Sequence, residues 1–238
     1  MAALIRDRSP TEMPAEAPHA PSPDPGFDRK ARRRCGGPVC GVDEAGRGPW
    51  AGPVVAAAVT LPDRLRVKGI ADSKVLTADR RLALYGEIVA CADVSVTIAS
   101  SNRIDAMNIR EATLWAMTRA VAGLAERPQL ALVDGRDVPT GLGCAGEAII
   151  DGDALSTAIA AASIVAKVTR DRLMTQLALS FPDYGFERHK GYGTKDHQTA
   201  LARLGPTIHH RRSFRPIRLI LEQANGDAVA DGADFTGC

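Results

Sequence analysis

The run Gly41-Val42-Asp43-Glu44-Ala45-Gly46-Arg47-Gly48-Pro49 sets two adjacent carboxylates at the end of a short apolar stretch and follows them with a glycine-rich turn carrying one arginine. Neighbouring strand residues point to opposite faces, so Asp43 and Glu44 converge on one ion only if the chain bends there, a bend that Gly-Arg-Gly would permit. Gly46 and Gly48 also let backbone N–H groups approach a ligand closely. Two further acids sit in similar surroundings. Asp134 ends Leu130-Ala131-Leu132-Val133, and Asp153 follows Ile149-Ile150 and precedes an alanine-rich segment. Asp beside Gly after a strand is also ordinary turn composition, and that reading stays open for both, with Asp151 and Asp137 as alternative acids. Asp171 is expected to pair with Lys167, one helical turn back. Three strand ends delivering acids to one sheet edge would make a hard-oxygen cluster suited to Mg²⁺ or Mn²⁺. Such a cluster could not stay anionic without cations. Two ions about 3.5–4 Å apart are the usual device for in-line attack on a phosphodiester.

The elements that must position these acids follow from pattern. Val39–Val42 and Val54–Leu61 are apolar and β-branched runs, the second stopped by Pro62. Their short Gly/Pro link predicts an antiparallel hairpin that opens a mixed sheet. Thr77–Cys91 predicts a helix capped by Thr77, with Leu82, Ile88 and Val89 near one face. Val94–Ala99, Leu130–Val133 and Ala148–Ile150 predict strands, and Ile104 to about Arg127 a single helix. Ser156 to about Leu179 is apolar nearly all round in its first half, the signature of a helix inside the core. Strands alternating with helices predict an α/β layer fold.

Composition bounds the rest. With 45% hydrophobic and 24% charged residues in 238, the chain has a soluble globular balance and enough length for a real core. No apolar run reaches the roughly 20 residues that span a bilayer, and no secretory signal is visible, so the cytoplasm is the expected compartment. Five scattered cysteines do not make a disulfide framework, and Cys35 with Cys40 lacks the second pair of a zinc site. The net charge is only +2, yet Glu187–Arg218 holds eight Lys/Arg against two acids. That local excess fits an anionic partner or an ordinary solvated face. Residues 1–36 are rich in proline and charge and are expected to be a disordered tail; residues 221–238 are expected to be an acidic tail around a domain at 37–220.

From about Cys40 to about Arg218 the sequence resembles ribonuclease HII. The resemblance rests on ordered blocks. They are Asp43–Pro49 with Ala51-Gly52-Pro53-Val54, Asp72-Ser73-Lys74 with Leu76, and Asn108-Ile109 with Ala112-Thr113 and Ala116-Met117. Val133-Asp134-Gly135 and Gly152-Asp153 follow, then Ala160–Asp171, His189-Lys190-Gly191-Tyr192-Gly193-Thr194 and His210-Arg211-Arg212-Ser213-Phe214. The resemblance implies a ribonuclease H-like fold: a mixed five-stranded sheet flanked by helices, with a mainly helical C-terminal part. It implies Asp43, Glu44, Asp134 and Asp153 as ligands of Mn²⁺ or Mg²⁺, two ions during catalysis. It implies that the backbone of Gly46, Arg47 and Gly48 reads a ribose 2′-OH, the group that separates RNA from DNA, and that Tyr192 stacks on the following sugar. Ser73, Lys74, Lys190, Arg211 and Arg212 are the candidates for phosphate contacts, which position a duplex without reading bases. The partners implied are an RNA–DNA hybrid and duplex DNA containing a ribonucleotide, bound by a monomer with no membrane. A nuclease of the same fold acting on DNA and a catalytically silent nucleic-acid-binding module are the competing readings.

Overall fold

The computed structural model describes residues 23–63, 67–71 and 73–232, with side chains to residue 224. In chain order the elements are α1 (Pro25–Cys35), β1 (Val39–Ala45), β2 (Val54–Thr60), α2 (Ala78–Cys91), β3 (Asp93–Ala99), α3 (Ser101–Met107), α4 (Ile109–Ala122), β4 (Leu130–Asp134) and β5 (Ala145–Ile149). Then come α5 (Gly152–Leu155), α6 (Thr157–Ser180), a 3-10 turn (Pro182–Tyr184), α7 (Phe186–His189), α8 (Lys195–Leu204) and α9 (Arg215–Gly232). The five strands form one sheet in the order β3-β2-β1-β4-β5. β1 pairs antiparallel with β2, and β2 with β3, as the short link predicts; β1–β4 and β4–β5 are parallel. The sheet is therefore mixed, and its parallel half brings the C-terminal ends of β1, β4 and β5 to one edge.

Alternation along the strands divides the core. Cys40, Val42, Ala56, Ala131 and Val133 pack with Ala112, Ala116 and Met117 of α4 on one face. On the other, Ala57 and Val59 pack with Ala158, Ala161, Ile164 and Val165 of α6. α6 lies close against β1: a Cβ at Gly41 would stand 2.1 Å from the Ala158 carbonyl carbon. That approach needs the alanines of α6 as much as the glycine, which explains why its first half is apolar on all sides. Ser156 caps α6, accepting from Ile159 N at 3.1 Å, and Thr77 caps α2, accepting from Arg80 N at 3.2 Å. Among the described residues, no helix is long and apolar enough to cross a membrane. Cys35, Cys40, Cys91 and Cys144 are free thiols, and Cys238 lies outside the described residues.

The fold departs from pattern in several places. The helix expected from Ile104 to Arg127 is two helices, broken at Asn108, whose φ is +67°. α2 buries Leu84 and Ile88, while Leu82 and Val89 are exposed. β5 begins at Ala145 and ends at Ile149, so Ile150 is exposed beyond it. Residues 25–35 of the expected tail form α1. Asp24 caps it through Gly26 N and Gly36 closes it in the left-handed region. Phe27, Ala31 and Cys35 make a narrow seam against Leu132, Ile149 and Ile159. Only three apolar residues at four-residue spacing, in a strongly basic segment, mark this helix, which is too faint a period to stand out in the sequence. Asp28 then accepts from Ser156 Oγ at 2.6 Å and Ala158 N at 3.0 Å, joining α1 to the start of α6. At the other end α9 continues past residue 221 to Gly232. Residues 1–22 and 233–238 of the expected tails lie outside the described residues, as does Asp72.

Candidate active site at the sheet edge

Because β1, β4 and β5 run in parallel, the acids at their C-terminal ends meet at one edge. The chain does not bend at Asp43-Glu44: pairing with β2 continues in register through Ala45. The two carboxylates therefore lie on opposite faces of β1, as strand geometry requires. Asp43, 5% exposed, turns to the α6 side, where the nearby Ser163 hydroxyl favours its charged form. Glu44 turns to the α4 side and pairs with Arg47 at 3.4 Å. They still share one cavity because it caps the end of the sheet and so reaches both faces. Asp134 completes it from β4, its Oδ1 accepting from Gly152 N at 2.8 Å. This cavity, about 350 Å³, is lined by Asp43, Glu44 and Asp134, the loop Ala45–Gly48, Ser73, Lys74, Ser163, Lys167, Arg170 and Tyr192.

Asp153 stands just behind that wall. It is buried in the first turn of α5 and pairs with Lys74 Nζ at 3.1 Å. Of the two acids flanking Gly152, Asp151 is exposed and caps nothing, so Asp153 is the one turned inward. Asp137 is held by Arg110 at 2.8 Å, and Asp171 by Lys167 at 2.8 Å, the latter pairing as expected from their spacing.

Electrostatics mark the acids as a strained group. Burial, then Glu44 and Asp134, hold the Asp43 carboxyl well above the usual carboxylate range. Burial raises Glu44 as well, partly offset by Arg47 and reinforced by Asp134. Asp134 is raised by burial and by Asp153, against the pull of the Gly152 N–H and Lys74. Among the described residues, no three Asp, Glu, His or Cys side chains are gathered tightly enough to form a ready ligand set. The donor chemistry nonetheless fits a hard divalent cation. The donors are all carboxylate oxygens, they oppose one another's charge, and a cation between them would relieve that opposition.

The other predicted residues divide. Gly46, Arg47 and Gly48 form one wall of the cavity, and Tyr192, 47% exposed, stands at its mouth. A Cβ at Gly48 would lie 3.7 Å from the Tyr192 ring, so loop and tyrosine are neighbours. Ser73 is buried, its Oγ 2.9 Å from Ser163 Oγ, while the Lys74 side chain extends to solvent at the rim. Lys190 stands outside the lining, with Nζ donating to Thr175 Oγ1 at 2.7 Å. Arg212 is exposed, its backbone N–H bound by Asp105. Arg211 is not available to a phosphate: it is fully buried, and its guanidinium donates to the carbonyls of Gly46, Arg47 and Gly52. Its type suggested a surface cation; its burial makes it a support for the loop. Ser163 and Arg170 escaped the sequence reading. Ser163 carries a signal, as the one polar residue in Ala160–Ala166.

Comparison with known proteins gives a consistent result. The family described as Ribonuclease HII matches residues 40–217. Ribonuclease HII of Azorhizobium caulinodans is 62% identical over 181 residues, covering 76% of this chain and 70% of that protein. Among solved structures, ribonuclease H2 from Pyrococcus horikoshii superposes with a TM-score of 0.68 at 29% identity, over 79% of this chain and 99% of that one. A PCNA:RNase HII complex from Archaeoglobus fulgidus gives a TM-score of 0.65 at 31% identity, over 75% of this chain and 95% of that one.

Proposed function

Since the chain belongs to the ribonuclease HII family, and so is a divalent-metal-dependent endoribonuclease acting on RNA–DNA hybrids, we propose that it also nicks duplex DNA on the 5′ side of a single embedded ribonucleotide. The observation that carries this reading is the shared cavity: three acids, the Gly46–Gly48 loop and Tyr192 all line it. A loop and one aromatic ring suffice to sense one ribose and the sugar after it, with little base readout.

Asp43, Glu44, Asp134 and Asp153 would hold two Mg²⁺ or Mn²⁺ ions, which when bound supply the charge that activates water and stabilises the leaving oxygen. The backbone of Gly46, Arg47 and Gly48 binds the 2′-OH, and Tyr192 packs on the next sugar, where a 2′-hydrogen fits better than a hydroxyl. Ser73 fixes Ser163, which in turn orients Asp43. Lys74, Lys167, Lys190 and Arg212 meet phosphates around the cavity and set the register of the duplex. The 2′-OH is a handle and not the nucleophile, so the products carry a 3′-hydroxyl and a 5′-phosphate. The chain works as a monomer in the cytoplasm, removing ribonucleotides during replication and repair.

The test is cleavage of a DNA duplex with one ribonucleotide, beside all-DNA and RNA–DNA duplexes, with Mg²⁺ and with Mn²⁺. A single cut 5′ of the ribonucleotide and an intact all-DNA duplex are expected. A 2′,3′-cyclic phosphate would refute the mechanism, and cutting of all-DNA duplex would make the enzyme a general nuclease. Tyr192→Ala is expected to lose more activity on the single-ribonucleotide duplex than on the hybrid. Equal loss on both would remove junction sensing from its role.

A further inference from the structure

Two buried cations lie under the cavity, and both hold backbone. Arg211 Nη2 donates to the Gly46 carbonyl at 2.6 Å, Nη1 to that of Arg47 at 2.8 Å and Nε to that of Gly52 at 3.0 Å. Arg170, 1% exposed on α6, donates from Nε to Pro53 O at 3.0 Å and from Nη2 to Ala51 O at 3.3 Å and Lys190 O at 3.0 Å. Burying a guanidinium is costly unless its donors are satisfied. Here carbonyl dipoles satisfy it, where a methionine or leucine would have filled the same volume without that cost. What the guanidinium adds over an apolar side chain is orientation of the peptides it holds.

That orientation has a definite sense. Across a trans peptide, the N–H of one residue points opposite to the C=O of the residue before it, and there is no cis peptide among the described residues. With the Gly46 and Arg47 carbonyls turned onto Arg211, the N–H groups of Arg47 and Gly48 turn away from it. Gly46, Arg47 and Gly48 line the cavity and Arg211 does not, so both amides face the cavity side. Neither has an acceptor among the described residues. Gly46 is needed for this arrangement: its φ is +98°, and a Cβ there would stand 2.0 Å from Arg170 Nε. Arg170, bonded to both the 51–53 backbone and Lys190, ties the loop to the segment that carries Tyr192.

We propose that Arg211 is a positioning residue that aims the Arg47 and Gly48 N–H groups into the cavity as a donor pair for the ribonucleotide 2′-oxygen, with Arg170 holding that pair in register with Tyr192. The inference rests on the hybrid-cutting reading and deepens it. A lysine at 211 keeps the charge but has one nitrogen, which cannot span three carbonyls.

The experiment measures binding of wild type, Arg211→Lys and Arg170→Lys to two duplexes of one sequence, all-DNA or with a single ribonucleotide, in Ca²⁺ to hold off hydrolysis. Thermal melting establishes that each variant is folded at the assay temperature. Wild type is expected to prefer the ribonucleotide duplex, and that preference is expected to fall about ten-fold, or to near unity, in either folded variant. Affinity for all-DNA duplex, which reads phosphate contacts, is expected to change less than about three-fold. Should Arg211→Lys not fold, Arg211→Met, which fills a similar volume without donors, carries the same test, while Arg170→Lys reads only the register with Tyr192. Folded variants that keep the full preference would overturn the positioning role. A wild type without preference would instead overturn the hybrid-cutting reading on which the role depends.

Discussion

Asp43 combines deep burial with two acidic neighbours, and this decides how the site responds to substitution. Asp43→Asn or Asp134→Asn removes a carboxylate whose charge the apo fold opposes, so neither change is expected to unfold the protein. Each is expected to lower kcat by at least about 10²–10³-fold, because the lost charge matters most in the transition state. The same carboxylates supply a binding readout free of catalysis. Mg²⁺ is expected to raise the melting temperature of the wild type, since a ligand of the folded state alone stabilises it, and to raise that of either variant much less. Turnover close to wild type, or an unchanged Mg²⁺ effect on melting, would take the substituted residue out of the ligand set.

Among the elements, the break between α3 and α4 shows how backbone and side chain act together. Asn108 has φ +67° and ψ 165°, a region held almost entirely by glycine, while its side chain caps α4 by accepting from Glu111 N at 3.1 Å. The break lets α4 leave α3 and lie over β2 and β1, with Thr113, Leu114 and Met117 bordering the recess beside Glu44. Asn108→Ala loses the cap and keeps the strain, and is expected to cost about 2 kcal/mol. Asn108→Gly relieves the strain and is expected to cost clearly less. Urea unfolding of the pair checks this, and equal stability of both variants would show that the backbone conformation contributes nothing. The break was not legible in the sequence because the apolar period of Ile104–Leu124 runs on across it. One asparagine is a weak signal until its φ is known.

At the scale of the whole molecule, the C-terminal helices fasten the mouth of the site to the sheet through histidines. His197 Nδ1 lies 3.0 Å from the Tyr192 carbonyl, His197 Nε2 lies 2.9 Å from His210 Nε2, and His189 Nδ1 accepts from Gly191 N. Burial pushes His197 down to about 4, and burial with the neighbouring His197 pushes His210 down to about 3. The unfolded chain titrates near its ordinary value of about 6.5. As pH falls below that value the unfolded state takes up protons that the folded state refuses, so stability drops until the folded values are reached. Asp43 and Glu44, raised in the fold, act in the opposite sense, so the histidine effect is read as a difference. The stability deficit of His210→Gln relative to wild type is expected to shrink by about 1 kcal/mol per pH unit from pH 6.5 downward. A deficit that stays constant between pH 7 and 5 would mean that His210 is not held neutral by the fold.

Some of this architecture is written locally and some is not. The apolar runs that become β1, β2 and β4, the cap at Thr77 and the all-round apolar face of α6 follow from residue type and period, which act over a few residues. The short link from Pro49 to Pro53 likewise determined the antiparallel start of the sheet, and the acids beside Gly46 and Gly135 were visible as candidates. Contacts between distant segments decided the rest. Whether Asp151 or Asp153 turns inward depends on α5 docking behind β4. That Asp43 and Glu44 share a cavity without a bend depends on where the sheet ends. Arg211 has the same side chain as Arg212, yet one is buried under the Gly46 loop and the other is exposed. Sequence pattern carries burial only where a whole face repeats, and a single arginine beside another has no period to read.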